Sequence, residues 1–569
     1  MINKTMKIIN VTFVCVALLL STFTNADAGS KIIHQPVDYA TGKYNEVAVD
    51  LSVTTIGGYL EAKRTFSNKQ WNFNRGAQGA ELSFAREHDA QPSEIKISGI
   101  SYKLDPNSVD ENASAGDPNA VYFTERENDL AVEESRIEKL GDQYRWADST
   151  GSWVNFDEKG QLIEGGNRNT VVTRTTRDSQ NRIFQVLDAK DQLIFTYEYV
   201  SSTSDKVSKI SDYSGRSVSY QWQGELLIQV TDVRGEEWKY DYSISGELIG
   251  RTDPLGRRTK LYYVSGLVTR LDDPLGNSTQ YSYDYDEVRK QYYMRSEDNS
   301  GRIIEQRYRQ DGQLIEQRIN GLLVQKVIEN VGSQAGEKVR TNIGLQGRTT
   351  TNHYDKNGNI IRIKRNDGSF ESAEYNGPFH KISQHTNAMG KITHYDYDSK
   401  GNLIRMIEAV GTDLSRQVDL TYDNYGQRTQ ITYAQDASTS AATYKIEFDN
   451  YGRKIKLTNA LGHIQNYQYN ALGRMTQLTD ALQNTWKRSY DAAGSLLSIT
   501  DPLNNSYMAR YNAAGERTEI VSPNGRTTKL SYDKAGRNIG IKVESADGQL
   551  LTQNSYQYQD AQRKLKTID

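Results

Sequence analysis

Five glycines, Gly452, Gly473, Gly494, Gly515 and Gly536, stand 21 residues apart, and four positions before each lies an aromatic ring: Phe448, Tyr469, Tyr490, Tyr511 and Tyr532. A second series, Gly462, Gln483, Asn504 and Gly525, runs at the same period about halfway between. A fixed period of this length means that each unit buries its apolar side on its neighbours rather than on itself. The chain is an array.

The residues that punctuate the array identify its unit. In Asp-x-x-Gly, as at Asp491 with Gly494 and Asp533 with Gly536, the carboxylate accepts hydrogen bonds from backbone N–H groups two residues on, and the glycine takes φ > 0 without steric cost. That is the chemistry of a type I turn closed by a G1 bulge. Asn replaces the aspartate at Asn470 (with Gly473) and Asn512 (with Gly515), while Asp253-Pro254-Leu-Gly256 and Asp273-Pro274-Leu-Gly276 add a proline whose fixed φ suits the second position. Between turns lie runs such as Arg474 to Thr479 and Thr485 to Tyr490, long enough for a strand and too short for an independent helix. The fifth residue after each glycine of the first series is Leu457, Leu478, Ile499, Ile520 or Ile541, an aliphatic ladder of the kind adjacent antiparallel strands need. The unit reads as a β-hairpin and the chain as all-β.

The grammar extends upstream, with Asp212, Asp232, Asp253 and Asp273 each opening Asp-x-x-Gly at intervals of 20, 21 and 20, and the strip is expected to begin near Asp148. An odd period with two equal turns would flip equivalent side chains to the other face at each repeat. One bulge, or one turn of different length, is therefore predicted in every 21-residue unit, whereas the 20-residue units need no such correction. The sequence leaves open which ladder faces inward.

Stacked at 4.8 Å, about 40 strands make a sheet on the order of 190 Å across, far more than an open twisted sheet sustains without curling. Yet hydrophobic residues are 36% of the chain and mean hydropathy is -0.73, too polar for a solid core inside such a roll. A spiral or barrel-like hollow shell one layer thick satisfies both constraints. A propeller, whose blades could be imitated by pairs of units, is the alternative.

Tyr-Asp-x-x-Gly followed about ten residues later by Asp-Pro-Leu-Gly resembles the RHS or YD-repeat family, which includes bacterial polymorphic toxins, the C subunits of insecticidal toxin complexes and, more distantly, teneurins. The resemblance covers roughly residues 148 to 569. DLSVTTIGGYLEAKRTF from Asp50 and WNFNR from Trp71 are similar to the β-rich domain that commonly precedes such repeats. The resemblance implies a hollow shell and, in RHS toxins, a closing core segment and a variable toxic domain; YQYQDAQRKLKTID holds neither. What carries over is architecture, with Tyr490, Asp491, Gly494 and their counterparts as repeat residues and no catalytic residue.

The expected organisation is a signal peptide over 1–28, a smaller β-rich N-terminal domain over 29–140 and the shell over 141–569. Lys4 and Lys7 precede the apolar run Ile8 to Leu20, and Ala26-Asp27-Ala28 supplies a cleavage pattern, so export to the exterior, cell surface or periplasm is expected. The run is too short for a membrane span. Cys15 is the only cysteine and would leave with the signal. Loss of Lys4, Lys7 and Asp27 moves the formal charge from -3 to -4, which gives no case for nucleic acid or an anionic membrane as a partner. The acidic DPNSVDENASAGDPN from Asp105, containing an Asn112 glycosylation triplet, reads as a solvated loop, and 331–348 as an insertion or bend.

Signals for catalysis, cofactors and metals are absent. His380, His385 and His394 lack the spacing that presents two imidazoles from one helical face, and the calcium-like start at Asp396 places Lys400 and Ile407 where oxygen ligands belong. The reading is a non-enzymatic scaffold whose partners are a toxin or protein cargo, or another RHS chain completing the shell. Adhesion or carbohydrate binding through the 37 tyrosines and surface glycans is the alternative. Gly494→Val should destabilise its hairpin by roughly 1 to 2 kcal/mol in chemical denaturation, since a β-branched residue is poorly suited to φ > 0, and Lys487→Ala should matter much less.

Overall fold

The computed structural model describes residues 31–32, 37–38, 41–56, 58–74, 82–84, 94–97, 100–104, 121–127, 130–310, 312–332, 337–413, 415–434, 441–558 and 565–568. The leader 1–28 with Cys15 and the acidic stretch with Asn112 lie outside them. Apart from two single 3-10 turns, Leu345–Gly347 and Pro378–His380, every regular element described is a strand. Four strands, β1 (Lys31–Ile32), β2 (Glu46–Thr55), β3 (Gly58–Ser67) and β4 (Gln70–Phe73), form a small sheet in chain order. Strands from Leu82 onward form a second sheet, the wall, ordered without a crossover and closed as a barrel. The change of sheet therefore falls between Phe73 and Leu82, and residue 140 ends a strand of the wall. The stretch expected to interrupt it continues it: Lys338–Ile343 pairs on both sides, with Leu322–Val331 and Thr349–Tyr354.

Both turns of a unit are built alike. Asp480 N–H donates to Asn484 O at 2.9 Å and Gln483 N–H to Asp480 O at 3.1 Å; in the next turn Asp491 N–H donates to Ser495 O and Gly494 N–H to Asp491 O, each at 3.0 Å. Alike turns cannot absorb an odd residue, and the ladder absorbs it instead. Tyr490 pairs with Leu496 but Ser489 pairs with Ser498, leaving Leu497 as the extra residue of a bulge. The same shift stands beside Tyr469, Tyr511 and Tyr532.

The 20-residue units correct the sequence-based expectation. They keep the bulge, between Tyr262 and Tyr263 in one and between Gln221 and Trp222 in another. What they lose is a turn residue: Ser265 and Gly266, at φ +52° and +79°, alone join Val264 to Leu267, a type I′ connection. A two-residue turn pairs positions of opposite parity and so exchanges the faces of the strand, and the bulge exchanges them back. Equivalent residues stay on one face at either period.

The tyrosine next to each bulge ties one hairpin to the one before. Tyr490 Oη donates to Met475 O at 2.9 Å, Tyr511 to Leu496 O at 3.0 Å, Tyr532 to Arg517 O at 2.7 Å and Tyr469 to Lys454 O at 2.7 Å, always fifteen residues back. Each acceptor is the residue that pairs with the preceding aromatic, where the bulge interrupts the ladder. Tyr242, Tyr263, Tyr283, Tyr375 and Tyr397 do the same along the earlier wall. Burial holds the hydroxyls of Tyr490 and Tyr511 above their ordinary value, as donors fixed in place should be. The aliphatic ladder shares this face: Ile499 pairs with Arg488, two residues from Tyr490, and with Tyr507 on the other side. The opposite face is polar, as with Lys487, Ser489, Ser498 and Thr500.

The wall is thin and coiled. Along the second coil, from 441 to 558, few side chains are buried, as expected of a single layer solvated on both sides. Contacts between its rims recur near one offset along much of the wall, Tyr213 with Ala471 at 258 residues, Arg257 with Glu516 at 259 and Lys190 with Asn450 at 260, while Asn169 meets Asn402 at 233 nearer its start. One revolution thus takes the chain from the strand ending at Asp212 to that ending at Tyr469, 23 strands later. At 4.8 Å per strand the circumference is about 110 Å and the diameter about 35 Å. The buried core is concentrated in the first coil, where Tyr197, Ile210, Val218, Leu227, Val230, Tyr240 and Leu248 pack against Leu51, Val53, Ala62, Phe66 and Trp71 of the small sheet.

The small sheet also presses on the second coil. A methyl group on Gly452 would lie 2.7 Å from Ile56 Cα, whereas one on Gly462 would meet open space; the two share φ of +75° and +79°. Gly462→Ala should cost about 1 kcal/mol for its backbone conformation alone. Gly452→Ala should cost about 1 to 3 kcal/mol more from overpacking, a difference read by denaturing the two variants in parallel.

Candidate functional site

Two groups of polar contacts hold the wall in its coil: a buried joint between the small sheet and the first coil, and a seam between successive coils. The joint starts from a local irregularity. A bulge in β2 between Val49 and Leu51 leaves Asp50 out of the ladder and frees its side chain to turn toward the wall. Arg64 of β3 donates from Nε to both Asp50 oxygens, at 3.1 and 3.0 Å, and from Nη1 to Tyr240 Oη at 2.8 Å. Tyr220 Oη donates to Asp50 Oδ2 at 2.8 Å. The guanidinium also lies 4.7 Å from the centre of the Trp71 ring, and Trp71 Nε1 donates at 2.8 Å to the hydroxyl of Tyr242, a member of the tyrosine ladder. Arg64 is fully buried. Burial alone would lower its pKa, but the Asp50 carboxylate keeps the guanidinium above its ordinary value. Burial, then the Asp50 charge, raises the Tyr220 hydroxyl.

At the edge of the joint Lys69 donates to Ser245 O at 3.0 Å and to Glu247 Oε1 at 2.8 Å. The Lys69 ammonium, helped by the Ser243 and Ser245 hydroxyls, holds the Glu247 carboxyl down at about 2. A depressed carboxylate contributes stability above its ordinary range and loses it as pH falls through the folded value, so this tie fails only in strong acid.

The seam joins the turns that lie opposite the tyrosines in the first coil to the tyrosine-side turns of the second. Arg234 Nε donates to Asp491 Oδ2 at 3.0 Å, and Arg257 Nη1 to Glu516 Oε1 at 2.7 Å. Gln192 Nε2 donates to Asn450 O at 3.0 Å, and the Tyr213 and Tyr451 rings stack at 5.0 Å. A cleft of about 470 Å³, lined by Ser214, Arg216, Ser217, Asp232, Gly235 and Ala492, opens along the seam.

The turn residues singled out in the sequence occupy both rims. Asp533 Oδ1 accepts from Ala535 N at 2.8 Å and Arg537 N at 3.0 Å; Asn470 Oδ1 accepts from Leu472 N at 3.0 Å and Arg474 N at 2.9 Å; Asn512 Oδ1 accepts from Glu516 N at 2.9 Å. Asp253 and Asp273, ahead of Pro254 and Pro274, cap Leu255 and Leu275 at 3.0 and 2.8 Å. Gly256, Gly276, Gly473, Gly494, Gly515 and Gly536 all have φ between +72° and +85°. Of these positions only Asp491 is drawn into the seam through its carboxylate. Asp50, Arg64 and Arg234 were not foreseen, because nothing in a lone Asp, Arg or bulge marks a partner 170 or more residues away.

The three histidines are engaged separately: His385 with Glu371 at 3.2 Å, His394 with Gln384 at 2.7 Å and His380 with Asn357 at 3.4 Å. Among the described residues no three His, Cys, Asp or Glu side chains come together as metal ligands, and no helix is long and apolar enough to cross a membrane. Arg64→Ala should cost about 3 to 5 kcal/mol at the joint because it strands the buried Asp50 carboxylate, whereas Asp50→Leu with Arg64→Met should cost much less. Hydrogen exchange at the amides of β2 and β3 reads the difference.

No curated protein sequence matches the chain. Among solved structures it is similar to TcdB2-TccC3 without its hypervariable C-terminal region, at 12% identity and a TM-score of 0.36, over 90% of this chain and 33% of that one. It is also similar to TcdB2-TccC3-Cdc42, at 13% and 0.37 over 90% and 34%, and to the Photorhabdus luminescens Tc holotoxin pore, at 12% and 0.36 over 90% and 33%. The chain spans about a third of the length of these solved chains. The family model described as Teneurin YD-shell matches residues 154–567, the same stretch in which tyrosine, capped turn and bulge recur, and the chain belongs to that YD-shell family.

Proposed function

We propose that this YD-shell chain is an exported, non-catalytic scaffold whose coiled wall encloses or displays a polypeptide cargo, a toxin in the first instance. The observation that carries the reading is the wall itself: a single layer, coiled at an offset near 258 residues and locked by seam contacts. The solved structures the chain is similar to join TcdB2 with TccC3 and, in one, with Cdc42. The leader with Lys4, Lys7 and the Ile8 to Leu20 run supports export. A glycan-binding surface draws little from the repeat tyrosines, because their hydroxyls are engaged inside the wall.

The test is protection of a passenger. A protease-sensitive, unfolded reporter polypeptide is joined after Asp569 and exposed to protease beside the same reporter added free. The joined reporter should be cut at least tenfold more slowly, and Arg234→Ala with Arg257→Ala, which open the seam, should abolish the protection. Equal cutting of joined and free reporter would show that the wall does not enclose.

A further inference from the structure

Along the seam, cations of the first coil find oxygens of the second. Lys190 donates to Asn450 Oδ1, Arg216 to Ala492 O, Arg234 to Asp491 and Arg257 to Glu516. Nearer the start of the wall the pattern breaks. Arg168, in the turn from Asn167 to Thr170, donates no hydrogen bond and makes no ion pair among the described residues, and its Nε is buried without a partner. Its neighbour Asn169 is docked, accepting from Asn402 Nδ2 at 2.8 Å. The turn that carries Arg168 therefore lies in the seam.

What approaches Arg168 from the second coil is another cation. The turn after Tyr375 has Asn376 where the aspartate belongs, and it runs six residues, from Asn376 to Lys381, against five from Asp491 to Ser495. It closes through a bridge between Gly377 and Lys381. Within it Phe379 and His380 stand at φ of +56° and +53°, a conformation costly for residues with a side chain. The Phe379 ring and the Arg168 stem share one space between two turn glycines. A methyl group on Gly151 would lie 2.9 Å from Arg168 Cβ and 3.2 Å from Phe379 Cε1, and one on Gly401 would lie 2.8 Å from Phe379 Cδ2 and 3.3 Å from Arg168 Cδ. The Lys381 ammonium, 5.9 Å from the centre of the Tyr397 ring, has neither a hydrogen-bond acceptor nor a carboxylate among the described residues. Burial, then the Arg168 charge, holds that ammonium below its ordinary pKa.

The carboxylates of the flanking turns are committed elsewhere. Asp148 Oδ1 accepts from Thr150 N and Ser152 N, each at 2.9 Å. Asp398 accepts from Lys400 N at 3.0 Å, Asn402 N at 2.8 Å and Asn402 Nδ2 at 2.9 Å. Both cap their own turns, and neither pairs with Arg168 or Lys381. Two like charges partly withdrawn from water repel unless a group of opposite sign joins them. We propose that Arg168 and Lys381 form a site for a free oxyanion of the phosphate or sulfate class, which bridges the two coils at this end of the seam. The guanidinium offers such an ion a fork of donors, and the ammonium adds a point charge. The site belongs to the seam and does not depend on what the wall encloses.

The test titrates inorganic phosphate into the full chain by calorimetry, in chloride buffer at constant ionic strength. One saturable site is expected, with a dissociation constant of about 1 mM or lower. Arg168→Gln and Lys381→Gln should each weaken it by about tenfold or more, and Lys487→Gln, on the open face of the wall, should leave it unchanged. A hexaglutamate peptide, the other source of oxyanions, should bind more weakly than phosphate; the reverse order overturns the choice of a free ion. Bound phosphate should also slow amide exchange at Gly151 and Gly401, which flank the pair, and not at Gly462. Circular dichroism confirms that the variants keep their strands, and should Arg168→Gln fail to fold, Lys381→Gln, whose ammonium makes no hydrogen bond, carries the test. The proposal is overturned by the absence of a saturable site, by undiminished binding in Lys381→Gln, or by unchanged exchange at both flanking glycines.

Discussion

The hydrogen bond from a repeat tyrosine back to a backbone carbonyl, fifteen residues upstream at Tyr490 and nineteen at Tyr422, is the constraint on which the rest of the wall depends. A strand ladder alone fixes neighbours, and each of its bonds is worth only about 1 kcal/mol net. The tyrosine adds a side-chain tie to the adjacent strand, and it lands where a bulge has broken that strand's pairing with the one before. Bulge and tyrosine are thus two parts of one device: the bulge keeps the repeat on a constant face, and the phenol satisfies the backbone at the break. This explains why the residue before the turn aspartate is tyrosine and not merely aromatic, with Phe448 as an exception that has no hydroxyl to give.

Seen this way, the two parts of the Tyr-Asp pair point in opposite directions along the chain. Asp491 caps forward, onto Ser495 N at 2.7 Å, while Tyr490 reaches back to Met475. Each unit is therefore fastened to itself by its aspartate and to its predecessor by its tyrosine. Where coils meet, a third attachment is added by arginines such as Arg234 and Arg257, which bridge from the turns of one revolution to carboxylates of the next. Charge-assisted, partly shielded pairs of this kind give geometric specificity as well as attraction, so they help to set the offset between coils.

How far the structure was legible followed the range of the interactions. The turns at Asp253, Asp273, Asn470, Asp491, Asn512 and Asp533 are local chemistry over five residues, and the spacing alone indicated them. The bulge in each 21-residue unit followed from the parity of the period. The persistence of the bulge in 20-residue units did not, because it needs the knowledge that Ser265-Gly266 forms a shorter turn. The seam and the Asp50, Arg64 and Tyr240 joint depend on side chains separated by 170 to 260 residues. Such pairings leave no trace in periodicity, since they depend on the circumference of the coil and not on the unit. The sharing of one face by tyrosines and aliphatics was likewise open until the register was known.

The small sheet touches Tyr220 and Tyr240 in one coil and Gly452 and Gly473 in the next. Because it comes first in the chain, it is made long before either set of partners exists: Tyr197, which donates to the carbonyl of Asn74 at the edge of the sheet, follows it by 123 residues, and Tyr220 follows Asp50 by 170. Contacts so distant in sequence form late and slowly. A ribbon of self-similar hairpins could otherwise close at many circumferences, and an early-made block that both revolutions must fit acts as a mandrel, selecting one winding radius during synthesis from the many that the hairpins alone would tolerate.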